Sequence, residues 1–460
     1  MEIIIAGCGK VGFSTAKSLS EDKDINITII DVNTEALDKA SEALDVMLVK
    51  GSALSESALS EAGVKDADLV ICVTGSDEVN ILCAICAKQL GAKRAIARVR
   101  DPEYSSDFNR IWKSLGIDMT INPEHQTARE ISRLLRYPPG SDVITFIGGR
   151  IEITTVRVSD SPETFLGQSV YHVFRKNKGK VILAAVQRGD RALVPYGELV
   201  FEAEDVIWIL GRPSNIMDFL ADAGKKPEKT SEITIIGGSK ITRYLVELLG
   251  RHASKTKIRI IEKDREKCED LSENYPRCLI IHGDGTDEGI ISSEEVTLSN
   301  AVVCLTNRDE ENIIISLYSI RNGIRKVISK VNYINRNIVR SLNVGSIVNP
   351  QSITADRIAG YVRGARKAPG SGIKTMDKML ECGDGGIAAM EFIVSSGSKL
   401  TDIPIKDLRL KSDVLIGCIV KGEKIIIPTG ESVIQPGDTV IIIAKDEIIT
   451  ELDDIAASGR

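Results

Sequence analysis

Aromatic residues make up only 4% of this 460-residue chain, and it holds just four histidines. The apolar content is carried mainly by Ile, Val, Leu and Ala, which suit parallel strands buried on both faces. Long hydrophobic runs are missing. No stretch approaches the roughly 18–20 apolar residues of a membrane span, so no transmembrane segment of its own is expected. A secretory leader is missing too, because Met1–Ala6 reads as a core strand, and the expectation is a cytoplasmic protein. There is no excess of positive charge. The net charge of −6 gives no electrostatic reason to expect nucleic acid.

Catalytic signatures are also lacking. His125, His172, His252 and His282 show no metal-ligand spacing. H-E-x-x-H, the nucleophile elbow and the Walker lysine motif are absent. Cys8, Cys72 and Cys304 fall in or beside strands expected to be buried, where a small apolar thiol is common. Cys83 and Cys86 form one C-x-x-C in a helical pattern with no second pair, and are read as structural.

What is present is a glycine turn. Strand Ile3–Ala6 runs into Gly7-x-Gly9-x-x-Gly12, a helical pattern follows over Val11–Leu19, and strand Ile25–Ile30 ends in Asp31. This is the order of a nucleotide-binding βαβ unit. The helix start would face phosphates, and Asp31 would accept bonds from ribose hydroxyls. Strands Val46–Val49, Asp68–Val73, Ala95–Val99 and Met119–Asn122 continue the pattern, with helices such as Asn80–Leu90 and Pro123–Leu135 between them. The expectation is α/β: a Rossmann-like, doubly wound parallel sheet whose ligand edge is its strand ends.

After Tyr137-Pro138-Pro139-Gly140 the texture changes to short strands, Ile151–Val158, Val181–Gln187 and Glu204–Leu210, which read as a small α+β unit. Then the chain starts again. Ile233–Lys240 repeats Ile3–Lys10 at an offset of 230 residues, and Glu262 answers Asp31. Thr306-Asn307-Arg308-Asp309-Glu310-Glu311-Asn312 answers Thr74-Gly75-Ser76-Asp77-Glu78-Val79-Asn80. The small unit returns as Val414–Val420, Lys424–Ile427 and Thr439–Ala444. The expected division is 1–137 and 141–224, a linker at 225–231, then 232–366 and 372–455.

The second copy is altered: Ser239 replaces Gly9 and Thr242 replaces Gly12. Ser239 should hinder close approach to a phosphate, and packing should loosen around Thr242. The small units offer one histidine, His172, read as a core residue, and no partner acid at useful spacing. A nucleotide motif occurs twice with no catalytic apparatus, so binding without turnover is expected. An NAD-dependent oxidoreductase remains an alternative.

The order Gly7-Cys8-Gly9-Lys10-Val11-Gly12, Asp31, Gly51-Ser52-Ala53, Thr74–Asn80 and Ala97-Arg98-Val99 resembles the RCK (KTN) domains that regulate potassium conductance. The small unit resembles their C-terminal subdomain. Two such modules in one chain are similar to the cytosolic regulatory subunits of Trk-type potassium uptake. The resemblance implies a homo-oligomer, a tetrameric ring, docked on the cytoplasmic face of a membrane potassium channel or transporter subunit. A different cation transporter is an alternative partner. It implies NAD+/NADH and ATP/ADP as ligands. Gly7, Cys8, Gly9, Lys10 and Val11 would hold phosphates, Asp31 the ribose, Ser52 and Ala53 the adenine. Thr74 and Gly75 would close over the ribose-phosphate edge, and Arg98 would reach a terminal phosphate. Glu124 would help bind a metal cation there; the second copy has Gln351. The second set is Gly237, Gly238, Ser239, Lys240, Ile241, Glu262, Thr306, Asn307 and Lys330.

Overall fold

The computed structural model of the chain describes residues 1–460 except 21, 23, 102–108, 140, 142, 226–229, 253–255, 293–295, 297, 333–341, 343, 367–377, 381–385, 446–448, 450 and 458–460. Most of the expected linker, and the first residues of the last expected domain, therefore lie outside the described residues.

Strands β1 (Glu2–Ala6), β2 (Asn26–Asp31), β3 (Met47–Lys50), β4 (Leu69–Cys72), β5 (Ala95–Arg98) and β6 (Met119–Ile121) form a sheet ordered β3-β2-β1-β4-β5-β6. Every pair in it is parallel. The chain reverses direction across the sheet between β1 and β4, and ligands of open α/β sheets bind at such a switch point. Helices Lys10–Ser20, Thr34–Ala43 and Asp77–Gln89 lie between these strands, and Pro123–Leu134 follows β6. Two of the caps are legible locally: Asn33 and Ser76 accept backbone N–H groups at the starts of their helices. The core is apolar, with Ile4, Ile30, Val70 and Leu59 fully shielded.

The first small unit holds β7 (Val143–Phe146), β8 (Ile151–Arg157), β9 (Val181–Arg188), β10 (Arg191–Leu193) and β11 (Val206–Gly211). They form an antiparallel sheet ordered β10-β9-β11-β8-β7. The outer strand β7 was not expected; it starts directly after the Pro-Pro-Gly break. His172 is corrected: it is exposed on the short helix Val170–Phe174, not in the core.

The second copy repeats both layers. Strands β12 (Glu232–Ile236), β13 (Lys257–Glu262), β14 (Leu279–His282), β15 (Ala301–Cys304), β16 (Lys326–Lys330) and β17 (Ser346–Val348) take the order β14-β13-β12-β15-β16-β17, all parallel. Strands β18 (Lys378–Leu380), β19 (Ile387–Ile393), β20 (Val414–Lys421), β21 (Lys424–Ile426) and β22 (Thr439–Lys445) take the order β18-β19-β22-β20-β21. The two antiparallel sheets share a defect: the register slips at Ala184 in β9 and at Gly417 in β20, equivalent positions.

In space, like packs with like. One unit holds Met1–Ser132 with Thr230–Ala359, both parallel sheets; the other holds Arg133–Lys229 with Gly360–Arg460, both antiparallel sheets. Within the second unit, alternate residues explain the pairing. Ile151 and Ile153 of β8 and Trp208 and Leu210 of β11 share one core with Ile387, Ala389, Ile441 and Ile443. Each small sheet thus uses the other to bury a face. Among the described residues no helix is long and apolar enough to cross a membrane.

Burial also silences two thiols. It pushes Cys304 and Cys418 up to about 12, so at pH 8 roughly one in ten thousand is thiolate. Both are expected to resist iodoacetamide in native buffer and to react fully in urea. Peptide mass mapping reads this directly, and native labelling of either would contradict the packing.

Candidate functional site

The first site is built at the carboxyl ends of β1 to β5. Gly7 closes β1 with φ +111°, a value side chains rarely adopt, and a Cβ there would meet the Thr74 backbone nitrogen at 2.9 Å. At Gly12 a Cβ would lie 1.8 Å from the Gly7 carbonyl oxygen, so the helix rests directly on the turn. Gly9 has nothing within 4 Å of a Cβ position and faces open space. A dinucleotide-binding glycine motif needs these three properties: a tight turn, a bare backbone a pyrophosphate can approach, and close helix packing.

Asp31 is tied into this turn. Its Oδ2 accepts the Cys8 N–H at 2.5 Å and its Oδ1 the Asn33 N–H at 2.8 Å. A carboxylate has about four lone-pair sites, so two remain for hydroxyl donors. The β3 loop is anchored beside it, with Gly51 N–H donating to the Asp31 carbonyl at 3.0 Å. Ser52 follows, its hydroxyl accepting Leu54 N–H at 3.3 Å, and Ala53 is buried.

The β4 loop is locked by residues that were not expected to matter. Asn80 Oδ1 accepts the Thr74 N–H at 2.6 Å and the Thr74 hydroxyl at 2.8 Å, while Asn80 Nδ2 donates to the Arg98 carbonyl at 3.0 Å. Asp77 accepts the N–H groups of Arg100 and Asp101 at 2.8 and 3.0 Å. The Arg100 guanidinium bonds back to Asp77 and to the Gly75 carbonyl, at 3.3 and 2.5 Å. Arg98 Nη2 bonds the Thr74 carbonyl, while its buried Nε has no hydrogen-bond partner. Burial lowers the Arg98 pKa, with Arg100 adding to the effect. Sequence held a signal for this lock: Thr-x-x-Asp-x-x-Asn stands in both copies. In the second, Thr306 N–H donates to Asn312 Oδ1 at 3.0 Å, Asn312 Nδ2 to the Lys330 carbonyl at 2.9 Å, and Asn332 N–H to Asp309 at 2.7 Å.

The second turn keeps its architecture and loses room. Gly237 has φ +104°. Thr242 is fully buried where Gly12 has no side chain, and its hydroxyl donates to the Gly237 carbonyl. A Cβ at that place cannot fit the geometry of the first copy, so helix and turn stand further apart and the hydroxyl closes the gap. Ser239 Oγ, at the position of Gly9, lies 3.4 Å from Thr242 Oγ1, and Ile241 is buried. Glu262 is 8% exposed and folded beneath the turn, accepting Gly238 N–H at 2.6 Å and Asp264 N–H at 2.9 Å. A Cβ on Gly238 would meet Leu271 Cδ1 at 2.6 Å. The first copy has Cys8 and Ala40 at these places, the opposite exchange of small and large. Asn307 is exposed in the β15 loop.

The two sets of strand ends belong to one compact unit and share charges. Lys240 Nζ lies 4.0 Å from Asp101. Burial pulls the Lys330 ammonium down; Asp309 opposes this, and Lys10 and Glu124 of the first copy act on it too. Burial raises the Glu124 carboxyl, while Arg100, Arg98 and Lys240 pull it back. Glu124 Oε2 is buried without a hydrogen-bond partner, as is Gln351 Nε2 of the second copy. Among the described residues no group of three His, Cys, Asp or Glu side chains gathers to hold a metal. A lone carboxylate facing three cations does not fit a metal held by protein alone. One further link had no sequence signal. Tyr244 stands where the first copy has Ser14. Its hydroxyl accepts Asn122 Nδ2 at 2.8 Å and donates to the Arg100 carbonyl at 2.9 Å, with the His125 ring edge-on at 5.2 Å.

Residues 3–123 and 233–350 match the TrkA-N domain family, and 153–224 and 389–457 match the TrkA-C domain family. The chain belongs to the TrkA family. A TrkA relative from Archaeoglobus fulgidus, the "Trk system potassium uptake protein TrkA homolog", is 32% identical over 99% of this chain and 100% of its own length. The Haemophilus influenzae "Trk system potassium uptake protein TrkA" is 28% identical over 97% and 96%. Among solved structures, the GsuK RCK domain superposes on this TrkA-family fold with a TM-score of 0.62 at 16% identity, covering 96% of this chain and 92% of its own. The GsuK channel bound to NAD gives 0.61 at 17% identity, covering 96% and 76%. The tandem TrkA-N/TrkA-C arrangement expected from the repeat is therefore the family's arrangement.

Proposed function

We propose that the chain is a nucleotide-sensing regulatory subunit of a potassium-uptake system. It would act from the cytoplasmic face on a Trk-type membrane subunit, as a homo-oligomeric ring, a tetramer. The observation that carries the sensing is the Gly7–Gly12 turn with Asp31 bonded beneath it, open at Gly9. The relatives' names support the potassium system, and the NAD-bound GsuK channel of like fold supports NAD+ or NADH as a ligand. ATP and ADP present the same ribose and phosphates and are the second pair of candidates.

In this reading each side chain has one task. The turn from Gly7 to Val11 holds the phosphates, and Asp31 takes the ribose hydroxyls with its free lone pairs. Ser52 and Ala53 border the adenine, and Thr74 and Gly75 close the near edge. Arg98 meets a terminal phosphate: its guanidinium is partly desolvated and its Nε lacks a partner, so an anion would restore what burial costs it. Glu124 would meet a cation only alongside phosphate oxygens. The second copy, with Gly237 to Ile241, Glu262, Thr306, Asn307 and Lys330, is a narrower site for a different nucleotide state. The domain division at 137, 224 and 366 is part of the same proposal.

Binding would act by population shift. A ligand moves a two-state ring only by its differential affinity for the two arrangements, and coupling of about 1–3 kcal/mol is the usual scale. The test is potassium flux through the reconstituted membrane partner with NAD+, NADH, ATP and ADP in turn. Flux that differs within a pair supports the proposal. Equal flux across both pairs sinks it.

A further inference from the structure

At the edge of the second parallel sheet opposite the strand-end site lies a cleft of about 590 Å³. Its floor is the start of β13, and its walls are the last turns of helix Lys240–His252 and the loop from Tyr275 to Leu279. The volume is in the range of small-molecule sites. Three cations line it, Lys257, Arg259 and Arg277, against one wall carboxylate, Glu247, which accepts the Tyr275 hydroxyl at 3.4 Å.

Arg259 is the informative residue. Its Nη2 bonds Glu232 Oε2 at 2.9 Å, but Lys257 Nζ already reaches Glu232 Oε1 at 3.1 Å, so one carboxylate faces two cations. Arg259 Nη1 has no hydrogen-bond partner and no exposed surface, so the guanidinium must turn toward the cleft to meet an acceptor there, and that turn would end the cost of an unpaired buried donor. The first copy has none of this. Thr28 stands at the place of Arg259, Asn26 at Lys257 and Val46 at Arg277, and its loop is one residue shorter, lacking a counterpart of Cys278. Packing of the fold therefore does not require the cations. The apolar lining, Val246, Ile258 and the half-exposed Leu279, continues from the charged end.

We propose that this cleft binds a small organic anion with an apolar body, a carboxylate whose head sits between Arg259 and Arg277 and whose body lies against Val246, Ile258 and Leu279. It is a second ligand site, separate from the nucleotide edge and unique to the second copy. Cys278 lines the cleft half-buried and serves as reporter.

The test uses the full chain, with octanoate as probe and octanamide as its neutral match. Alkylation of Cys278 by iodoacetamide at pH 9 is followed by peptide mass mapping. Octanoate is expected to slow it saturably, by about fivefold or more, and octanamide to leave it unchanged. In R259Q/R277Q, checked for native circular dichroism, the half-protecting octanoate concentration should rise about tenfold or more. Adding ADP or NAD+ should not relieve the protection, so the outcome is independent of the nucleotide reading. No protection in the wild type, equal protection by octanamide, or full protection in the double variant would each overturn the proposal.

Discussion

Gly12→Ala is expected to cost the first parallel sheet about 3 kcal/mol or more and to abolish nucleotide binding there. The new methyl would lie 1.8 Å from the Gly7 carbonyl oxygen, which is backbone and cannot rotate away. Either the helix Lys10–Ser20 retreats or the turn unravels, and both spoil the proposed phosphate cradle. The comparison is internal. Thr242 occupies the same place in the second copy, where the hydroxyl bonds Gly237 across a wider gap. Thr242→Gly should therefore cost only the order of 1–2 kcal/mol, a lost hydrogen bond plus a helix glycine. Urea midpoints of both variants, with a thermal-shift titration of NAD+, measure the difference. A wild-type midpoint for Gly12→Ala would contradict the geometry.

Glu152→Ala should be comparably damaging in the second unit. Glu152 is 1% exposed, with Arg133 Nε at 3.2 Å, Arg136 Nη2 at 3.4 Å and a hydrogen bond from the Tyr137 hydroxyl. Burial and this carboxylate push the Tyr137 phenol up, so it stays a donor. Truncation leaves a largely shielded guanidinium and a buried phenol facing a cavity, and such one-sided losses cost about 3–5 kcal/mol. The matching strand position in the second copy is Ala388, so no twin network compensates. In a Trp112→Phe background the fluorescence of Trp208, in the core of this unit, follows its unfolding alone. Glu152→Gln, which keeps shape and an acceptor, should recover part of the loss.

How much of this was legible beforehand differs by level. The strand-turn-helix-strand order around Gly7 and Asp31 was readable because local chemistry dictates it and a second copy repeats it. The edge strand β7 was not, since four residues beside a Pro-Pro-Gly break carry too little pattern. The pairing of like sheets was not legible either: a repeat says which segments are similar, not which faces meet. At the site, Asn80 is visible as a repeated residue, but its type and spacing do not reveal its work, which is to hold Thr74 and the Arg98 carbonyl. Tyr244 had no signal, since its contacts at Asn122 and Arg100 are more than 100 residues away.

The central claim is that nucleotides bind at the strand ends, with the first copy the intact site. Isothermal titration of NAD+ and ADP into wild type, Asp31→Ala and Glu262→Ala tests it most directly. The account predicts that Asp31→Ala weakens the tighter binding event about tenfold or more, while Glu262→Ala leaves that event in place. Binding heats that are unchanged in Asp31→Ala, or that vanish only in Glu262→Ala, would contradict it.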